Sequence, residues 1–222
     1  GFLGDLTNSG NGAHGFLIQN FFSPHTNRRN DRWGGSLENR MRFPLAVVDA
    51  VKSVIEAHAD RPFALGYRIS VEEGNEGGLR ITDSLQLIDR LIDGGVSYVH
   101  ASLGSALDQR PVDDTSGRTI VRILHDYIAG RVPLIAAGQI RTAEQAERAI
   151  DEGLSLVALG QGLVMNPDWV AHARVGRDSD VKLSVSFQDV ARLTIPQRLW
   201  TIIEDTPGWF NVLRNQAERQ AI

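Results

Sequence analysis

The chain has 222 residues, a formal net charge of −4 and no cysteine; 42% of its residues are hydrophobic and 23% are charged. This composition is typical of a globular domain with a real core, and it excludes disulfides and thiolate metal sites. The acidic balance argues against a nucleic-acid partner, and no apolar run approaches the ~20 residues that span a bilayer. A cytoplasmic location is the default expectation.

Four short apolar segments are predicted to be buried strands, because none of them alternates with polar residues as a half-exposed strand would. They are Phe63–Ile69, Val96–Ala101, Pro133–Ala137 and Leu154–Leu159. A fifth strand is considered at Phe2–Leu6. Segments of this kind are typical of parallel strands that are covered on both faces.

Amphipathic helices are predicted between and after these strands. The first has an apolar stripe from Leu37 to Ile55 and contains Pro44, which can kink it. Thr142 and Gln145 form a capping-box pattern at the start of another helix that runs to about residue 152. The other predicted helices are Asp83–Ile92 with Gly94 as its C-cap, Thr119–Ile128, one that starts near Gln161, and Ile195–Ile203.

The alternation of strands and helices predicts an α/β architecture with a parallel sheet. A complete (β/α)8 barrel typically needs about 250 residues, so these strands account for half a barrel or for a small open sheet. The chain contains no low-complexity segment and no obvious linker, so residues 1–222 are predicted to form a single domain.

A polar segment near the start of the chain is the first candidate site. His14 lies between Ala13 and Gly15, and two asparagines, Asn8 and Asn11, precede it. Imidazole and amide donors at a strand end can bind a carbonyl or phenolate oxygen and stabilise negative charge as it develops. The alternative is that Asn8 and Asn11 are turn residues.

Arg68 is the second candidate. It lies near the C-terminal end of a predicted buried strand, where a cation is costly unless it meets an anion. Active sites of parallel barrels lie at that end of the strands. The alternative is an internal salt bridge, with Glu72 or Glu73 as the partner.

Two strand–glycine–helix turns form the third candidate. Ala137, Gly138 and Gln139 end one strand, and Gly160 and Gln161 end the next. Successive turns of this type direct backbone N–H groups and helix N-termini toward one anion, and barrels frequently bind phosphate after their last two strands. The pattern by itself predicts a phosphorylated ligand. No metal site is predicted for His100 or His125, and no role for His25.

The segment from Gly12 to Arg40 resembles the longest signature of the old yellow enzyme family. That signature is a His-Gly-Ala-His-Gly-Tyr-Leu segment, a Phe-Leu-Ser-Pro segment, and Arg-x-Asp-x-Tyr-Gly-Gly-Ser-x-Glu-Asn-Arg. The resemblance continues to about Trp169 and is weaker beyond it. It implies a TIM (β/α)8 barrel of the FMN-linked oxidoreductase type with its N-terminal half missing from this chain, so that about strands 4 or 5 to 8 and the C-terminal helices are present.

The resemblance also implies roles for the candidate residues. His14 matches the second member of the pair that binds the substrate carbonyl, and Asn11 stands where the family usually has the first, with Asn8 as its rival. Arg68 matches the arginine that lies against the flavin pyrimidine. The residues implied for the FMN phosphate are Ala137, Gly138, Gln139, Gly160 and Gln161.

The chain departs from the family pattern at two positions. Phe16 stands where the family commonly has a tyrosine that donates a proton to the reduced alkene, so protonation would need water or another residue; its alternative role is plain packing. Gln161 replaces the usual arginine, and Arg141 either compensates for this charge or is exposed to solvent. The polar residues of the following loop are interpreted as a structural network; they are Asp31, Glu38, Asn39 and Arg40.

The predicted function is an FMN-dependent NAD(P)H oxidoreductase that reduces activated alkenes such as α,β-unsaturated carbonyl compounds. One alternative is a non-catalytic half-barrel module that binds phosphate or assembles with a partner chain. Another is a barrel enzyme that acts on a phosphorylated metabolite, against which the signature argues. The expected partners are a small-molecule substrate and either a second copy of the chain or a complementary half barrel, with no nucleic acid and no membrane.

Overall fold

The computed structural model describes residues 7–113 and 115–213 of the chain. Its strands form one sheet in which all neighbours are parallel and follow each other in chain order. The strands are β1 (Thr7–Gly12), β2 (Ala64–Ser70), β3 (Tyr98–Ser102), β4 (Leu134–Ala137) and β5 (Leu156–Ala158). A parallel sheet with consecutive strand order is the arrangement that repeated strand–helix units produce, and it confirms the predicted α/β class.

Helices follow each strand and continue beyond the last one. They are α1 (Leu17–Phe22), α2 (Leu37–His58), α3 (Ile81–Asp93), α4 (Ile120–Ile128), α5 (Ala143–Asp151), α6 (Gln161–Met165), α7 (Trp169–Arg174), α8 (Asp189–Arg192) and α9 (Gln197–Asp205). A short 3-10 helix, Asp178–Asp180, lies between α7 and α8. Within the described residues, no helix is long and apolar enough to cross a membrane.

The four apolar strands are confirmed, with boundaries that differ by one to two residues at most ends. The fifth segment, Phe2–Leu6, lies outside the described residues. The strand that the structure shows in this part of the chain is β1, and its pairing with β2 runs without interruption from Thr7 opposite Ala64 to Gly12 opposite Ile69. Asn8 and Asn11 therefore lie in a strand, so the alternative that they are turn residues was wrong.

Side-chain caps fix where several helices begin. Ser36 accepts a hydrogen bond from the Asn39 N–H at the start of α2, which continues through Pro44. Thr142 and Gln145 bind each other's backbone N–H groups at 3.3 and 3.2 Å, which confirms the predicted capping box. Helix α3 begins at Ile81, two residues earlier than predicted.

The two faces of the sheet differ in polarity. Because side chains alternate along a strand, one face of β2 and β3 carries buried apolar residues, and the opposite face carries polar ones. The buried apolar residues of the sheet include Leu65, Tyr67, Ile69, Val99, Ala101, Leu134 and Ala136. The polar face holds the candidate site described below.

The chain divides into two compact units. The first extends to Gln139 and includes Arg148–Ala158, and therefore contains the sheet. The second comprises Ile140–Glu147 and the chain from Leu159 onward. This second unit has its own apolar core, formed by Met165, Val185, Leu193, Ile195, Trp200, Ile203 and Phe210. The expectation of a single domain over residues 1–222 stays a prediction.

Gly12 is required by the close approach of β1 to a buried tyrosine. A Cβ atom at Gly12 would lie 2.2 Å from Oη of Tyr67, which is 1% exposed and has no room to move. We expect Gly12→Ala to lower the free energy of unfolding by about 1–3 kcal/mol, as overpacked cores do. Gly74→Ala is the matched control, because a Cβ there meets no atom within 4 Å. Equal urea midpoints for the two variants would contradict this packing.

Candidate active site

The C-terminal ends of β1, β2 and β3 bring together polar residues that are far apart in sequence. Asn11 is paired with Arg68, and Arg68 with His100. Two residues further along, Ser70 is paired with Ser102. Paired residues of neighbouring parallel strands point to the same face of a sheet, so these side chains share its polar face.

His14 lies directly above this face, where the sequence predicted it. Its backbone is in the left-handed region, with φ of 60°, which is uncommon for a residue with a side chain. The hydroxyl of Ser70 accepts a hydrogen bond from the His14 N–H at 3.1 Å. On the imidazole, Nε2 is 2.8 Å from Oγ of Ser102. One serine thus contacts the backbone of His14 and the other contacts its ring.

Arg68 has no carboxylate partner within the described residues. Its Nη2 donates to Oγ of Ser102 at 2.9 Å, and its Nε is buried without a hydrogen-bond acceptor. Glu72 accepts from the N–H groups of Ile81 and Val112 instead. The alternative that Arg68 forms an internal salt bridge was therefore wrong, and a cation is left on the polar face, where an anionic or electron-rich ligand can meet it.

Glu73 anchors the loop that carries His14. Its two carboxylate oxygens accept hydrogen bonds from Gln19 Nε2 at 2.7 Å and from Ser23 Oγ at 2.6 Å. Gln19 in turn accepts from the N–H of Gly15 at 2.9 Å. The segment after β2 thus holds the segment after β1, a role of Glu73 that the sequence did not reveal.

His100 is a further member of the cluster that the sequence did not identify. Burial, followed by the positive charges of Arg68 and His14, lowers the pKa of His100 to about 4. Its Nε2 is buried and has no hydrogen-bond partner within the described residues. The signal available in the sequence was its place at the end of a strand, in register with Arg68. Residues that could form a metal site are not found in the described part of the chain.

Asn11 lies in register with Arg68 at the end of β1, next to the segment that carries His14. In the same register, Asn8 is paired with Leu65. The Oδ1 atom of Asn11 accepts from the N–H of Ala13 at 3.2 Å, and the side chain is exposed. The Nδ2 group is therefore the part of Asn11 that can donate to a ligand.

Phe16 is exposed rather than packed. Its side chain is 61% exposed, and that of Leu17 is 63% exposed. The interpretation of Phe16 as a plain packing residue was therefore wrong. The two residues form an apolar rim next to His14, at the start of α1.

The loop between α1 and α2 has the structural role predicted for it. Arg40 is buried and donates to the carbonyl oxygen of Phe22 at 2.9 Å, while Asn39 Nδ2 donates to the carbonyl oxygen of Gly34 at 3.0 Å. Asp31 accepts from the N–H of Trp33. Glu38 does not join this network. It lies 3.7 Å from Arg42 on the same helix.

Within the first unit, the turn after β4 is tight. A Cβ atom at Gly138 would lie 2.7 Å from the nitrogen of Ala106 and 2.8 Å from the oxygen of Leu103. Gln139 follows in the left-handed region, with φ of 53°. Ala137 is the last residue of β4. A side chain at position 138 would clash with these backbone atoms, so the turn requires glycine there.

Within the second unit, the side chain of Gln161 is already engaged. Its Oε1 accepts from Arg141, and its Nε2 donates to the carbonyl oxygen of Trp209. Arg141 is half-buried, and burial lowers its pKa. The alternative that Arg141 is solvent-exposed was therefore wrong. Gly160 is the N-cap of α6, and a Cβ there would meet no atom within 4 Å.

The start of α5 is not available to an external anion. The carboxylate of Asp178 accepts from the N–H groups of Ala143 and Glu144 at 2.9 and 3.1 Å. The side chain of Gln145 accepts from the N–H of Arg141 at 2.7 Å. The idea that two helix N-termini face one phosphate was therefore wrong for α5. The phosphate site predicted from Ala137 to Gln139 with Gly160 and Gln161 stays a prediction.

Solved structures place the sheet in a known class. Morphinone reductase in complex with tetrahydroNAD superimposes with a TM-score of 0.60 and 28% identity over 78% of this chain and 44% of that one. A 2-naphthoyl-CoA reductase complex superimposes at 0.63 with 22% identity, over 78% of this chain and 26% of that one, and shows the fold alone. These proteins are TIM-barrel flavin oxidoreductases, and the chain corresponds to one part of that fold.

The model of the NADH:flavin oxidoreductase / NADH oxidase family matches residues 11–180. The chain belongs to this family, which confirms the resemblance to old yellow enzymes. A probable NADH-dependent flavin oxidoreductase, YqiG of Bacillus subtilis (strain 168), is 40% identical over 89% of this chain and 53% of its own length. The NADH:acrylate oxidoreductase of Vibrio harveyi is 39% identical over 87% of this chain and 19% of its own. The chain thus spans about half the length of the first relative and about a fifth of the length of the second.

His100 should make stability depend on pH. Its pKa is lowered to about 4 in the folded chain from an ordinary value of 6.5. Between these two pH values, the unfolded state therefore binds the proton more strongly than the folded state. The contribution of neutral His100 is complete above the ordinary pKa and is lost as the pH falls toward 4. As the pH falls from about 7 to about 5, we expect the free energy of unfolding of His100→Asn to decrease less than that of the parent chain. Urea titrations at each pH measure this difference.

The parent chain, titrated in urea at the same pH values, provides the reference for this experiment. An unchanged pH dependence in His100→Asn would mean that His100 is not held in its neutral form by its surroundings.

Proposed function

We propose that the chain is the part of an FMN-dependent NAD(P)H oxidoreductase that binds the flavin and an activated alkene, such as an α,β-unsaturated carbonyl compound. The observation that carries this proposal is the Arg68 guanidinium. It lies on the polar face at the strand ends, has no carboxylate partner in the described chain and keeps a buried Nε without an acceptor. A cation that is partly withdrawn from water, as Arg68 is, is stabilised when a ligand supplies negative charge.

The polar face fits a flavin. Arg68 offers N–H donors to an electron-rich ring, and within the described residues both Arg68 and the neutral His100 have a buried side-chain nitrogen without a hydrogen-bond partner. When bound, FMN supplies the hydride chemistry, taking hydride from NAD(P)H and passing it to the alkene. Arg68 would lie against the flavin pyrimidine and stabilise the negative charge of the reduced ring through its fixed positive charge.

His14 and Asn11 would bind the carbonyl oxygen of the substrate. Burial and the charge of Arg68 lower the pKa of His14, so the imidazole is neutral and donates through one N–H group. Asn11 would donate through Nδ2. Two donors at this oxygen stabilise the charge that develops there when the β-carbon accepts hydride.

The FMN phosphate would be held by the turns after β4 and β5. The proposed residues are Ala137, Gly138, Gln139, Gly160 and Gln161. The contact between Arg141 and Gln161 supports this proposal, because it brings to Gln161 the positive charge that the glutamine lacks. The charge of Arg141 is attractive to phosphate.

The names of two relatives support the substrate class. They are described as acting on acrylate in Vibrio harveyi and on fumarate in Klebsiella pneumoniae (strain 342). In both compounds an alkene is conjugated with a carboxyl carbonyl group. A conjugated carbonyl is the feature that the donors of His14 and Asn11 would recognise.

A second candidate function is a half-barrel module that binds phosphate or assembles with a complementary half barrel or a second copy. The sheet order supports it, because β1 and β5 are the two edges of the described sheet and each has one strand neighbour there. Open parallel edges favour pairing with another chain.

A visible absorption spectrum of the purified protein, recorded before and after addition of FMN and desalting, separates the two candidates. We expect flavin bands that stay with the protein, together with oxidation of NAD(P)H. A protein that remains colourless and does not oxidise NAD(P)H, but forms tight oligomers, would contradict the enzyme and favour the module.

Arg68→Met tests the flavin contact. We expect it to weaken FMN binding at least about tenfold, because a hydrogen bond to a charged group contributes about 1.5–3 kcal/mol. Fluorescence titration with FMN measures this loss. The control is Arg61→Met, an exposed arginine before the opposite end of β2, which should bind FMN like the parent chain. Equal affinities in both variants would rule out the contact.

Phe16→Tyr tests the missing proton donor. A tyrosine at this exposed position would supply an acid near the substrate, and general acids typically accelerate such steps by about 10²–10⁴-fold. We therefore expect Phe16→Tyr to increase the rate at which an α,β-unsaturated carbonyl compound reoxidises the reduced enzyme. Phe16→Leu, which offers no proton, should match the parent chain. A rate that Phe16→Tyr leaves unchanged would show that protonation at this position does not limit turnover.

A further inference from the structure

Ser102 connects two groups of the candidate site through one hydroxyl. It is the last residue of β3. The Nη2 of Arg68 donates to Ser102 Oγ at 2.9 Å, and Ser102 Oγ lies 2.8 Å from Nε2 of His14. The two contacts join residues from three separate segments of the chain, so Ser102 links the cation to the imidazole.

The direction of the first of these hydrogen bonds follows from the donors available. A guanidinium has donors only, so Ser102 Oγ accepts from Arg68. A hydroxyl also has one hydrogen to donate, and in the part of the chain that the structure describes the other polar atom in contact with Ser102 Oγ is His14 Nε2. When the hydroxyl donates this hydrogen to Nε2, the ring hydrogen of His14 lies on Nδ1.

We propose that Ser102 is a positioning residue that holds the His14 imidazole in its Nδ1–H form, with Nδ1 as the donor to the substrate carbonyl oxygen. The inference rests on the proposed function, in which His14 binds that oxygen. In the opposite tautomer, Nε2–H would donate to Ser102 and Nδ1 would be an acceptor. Nδ1 of His14 and the carbonyl oxygen of the substrate would then face each other as two acceptors, with no hydrogen between them.

Arg68 strengthens this arrangement. Its donation polarises the hydroxyl of Ser102, and a polarised hydroxyl is a stronger donor to the next group. The lowered pKa of His14 keeps its ring neutral, the form in which the choice of tautomer exists. A single chain of hydrogen bonds, from Arg68 through Ser102 to His14, therefore sets both the orientation of the ring and its donor atom.

Ser70 offers a matched control at the same end of the sheet. It is paired with Ser102 on the neighbouring strand, and its Oγ accepts from the backbone N–H of His14 at 3.1 Å. Ser70 therefore holds the backbone of His14, whereas Ser102 contacts the ring. Replacing each serine by alanine removes the same group from the two positions.

The test is 15N NMR of the histidine rings in the purified protein without flavin, with His14 assigned by the signal that His14→Gln loses. We expect the Nδ1–H form in the parent chain and in Ser70→Ala. Ser102→Ala should shift the ring toward Nε2–H and raise the pKa of His14, because the lost donation favoured the neutral ring. Ser102→Thr keeps the hydroxyl and should restore the parent tautomer. Parent ring shifts in Ser102→Ala would overturn the assignment.

A kinetic measurement on the flavin-loaded protein tests the role in substrate binding. We expect Ser102→Ala to slow reoxidation by the alkene about 10²-fold, because the loss of one oxyanion donor costs about 10²–10³-fold, and to leave reduction by NAD(P)H within about twofold. Alkene reduction at the parent rate would overturn the positioning role. A protein that binds no flavin but shows the Ser102-dependent tautomer would contradict the proposed function and leave the tautomer assignment standing.

Discussion

The constraint on which the polar face depends is a half-buried cation, Arg68, that has no carboxylate partner within the described residues. Arg68 is placed by the alternation of β2 on the polar face of the sheet, where it donates to the neutral hydroxyl of Ser102. The positive charge of Arg68 therefore acts on two nearby histidines, and it contributes to the lowered pKa of both His14 and His100. Positive charge that is not neutralised internally is suited to stabilise negative charge that appears during a reaction.

Glu72 and Glu73, the acidic residues closest to Arg68 in sequence, do not neutralise its charge because their carboxylates bind other groups. Glu72 binds backbone N–H groups at the start of α3 and at Val112, and Glu73 binds Gln19, Ser23 and the N–H of Leu79. The same carboxylates therefore build the loops around the site. Because the Glu73 contacts also fix the segment that carries His14, the position of the imidazole and the unpaired state of Arg68 have a common structural origin.

How far the sequence predicts this arrangement depends on what each residue does. Strands β2 to β5 are predicted because burial between layers requires apolar runs. Strand β1 has the polar sequence Thr7–Gly12, and it is defined by its register with β2, so burial patterns do not reveal it. His14 and Arg68 are found through the family signature and strand position. Ser102 and His100 are not, because their importance arises only when β2 and β3 are placed in register.

The composition of the site also constrains where a proton can come from. Both imidazoles next to Arg68 have lowered pKa values, so neither holds a second proton near neutral pH. The side chain that stands where the family has an acid, Phe16, is 61% exposed and has no proton to give. Under the proposed function, the cluster would therefore stabilise negative charge on the substrate oxygen rather than donate a proton. Since Phe16 and Leu17 lie open to solvent, water can reach the position that the tyrosine would occupy, and under the proposed function water would supply the proton that completes alkene reduction.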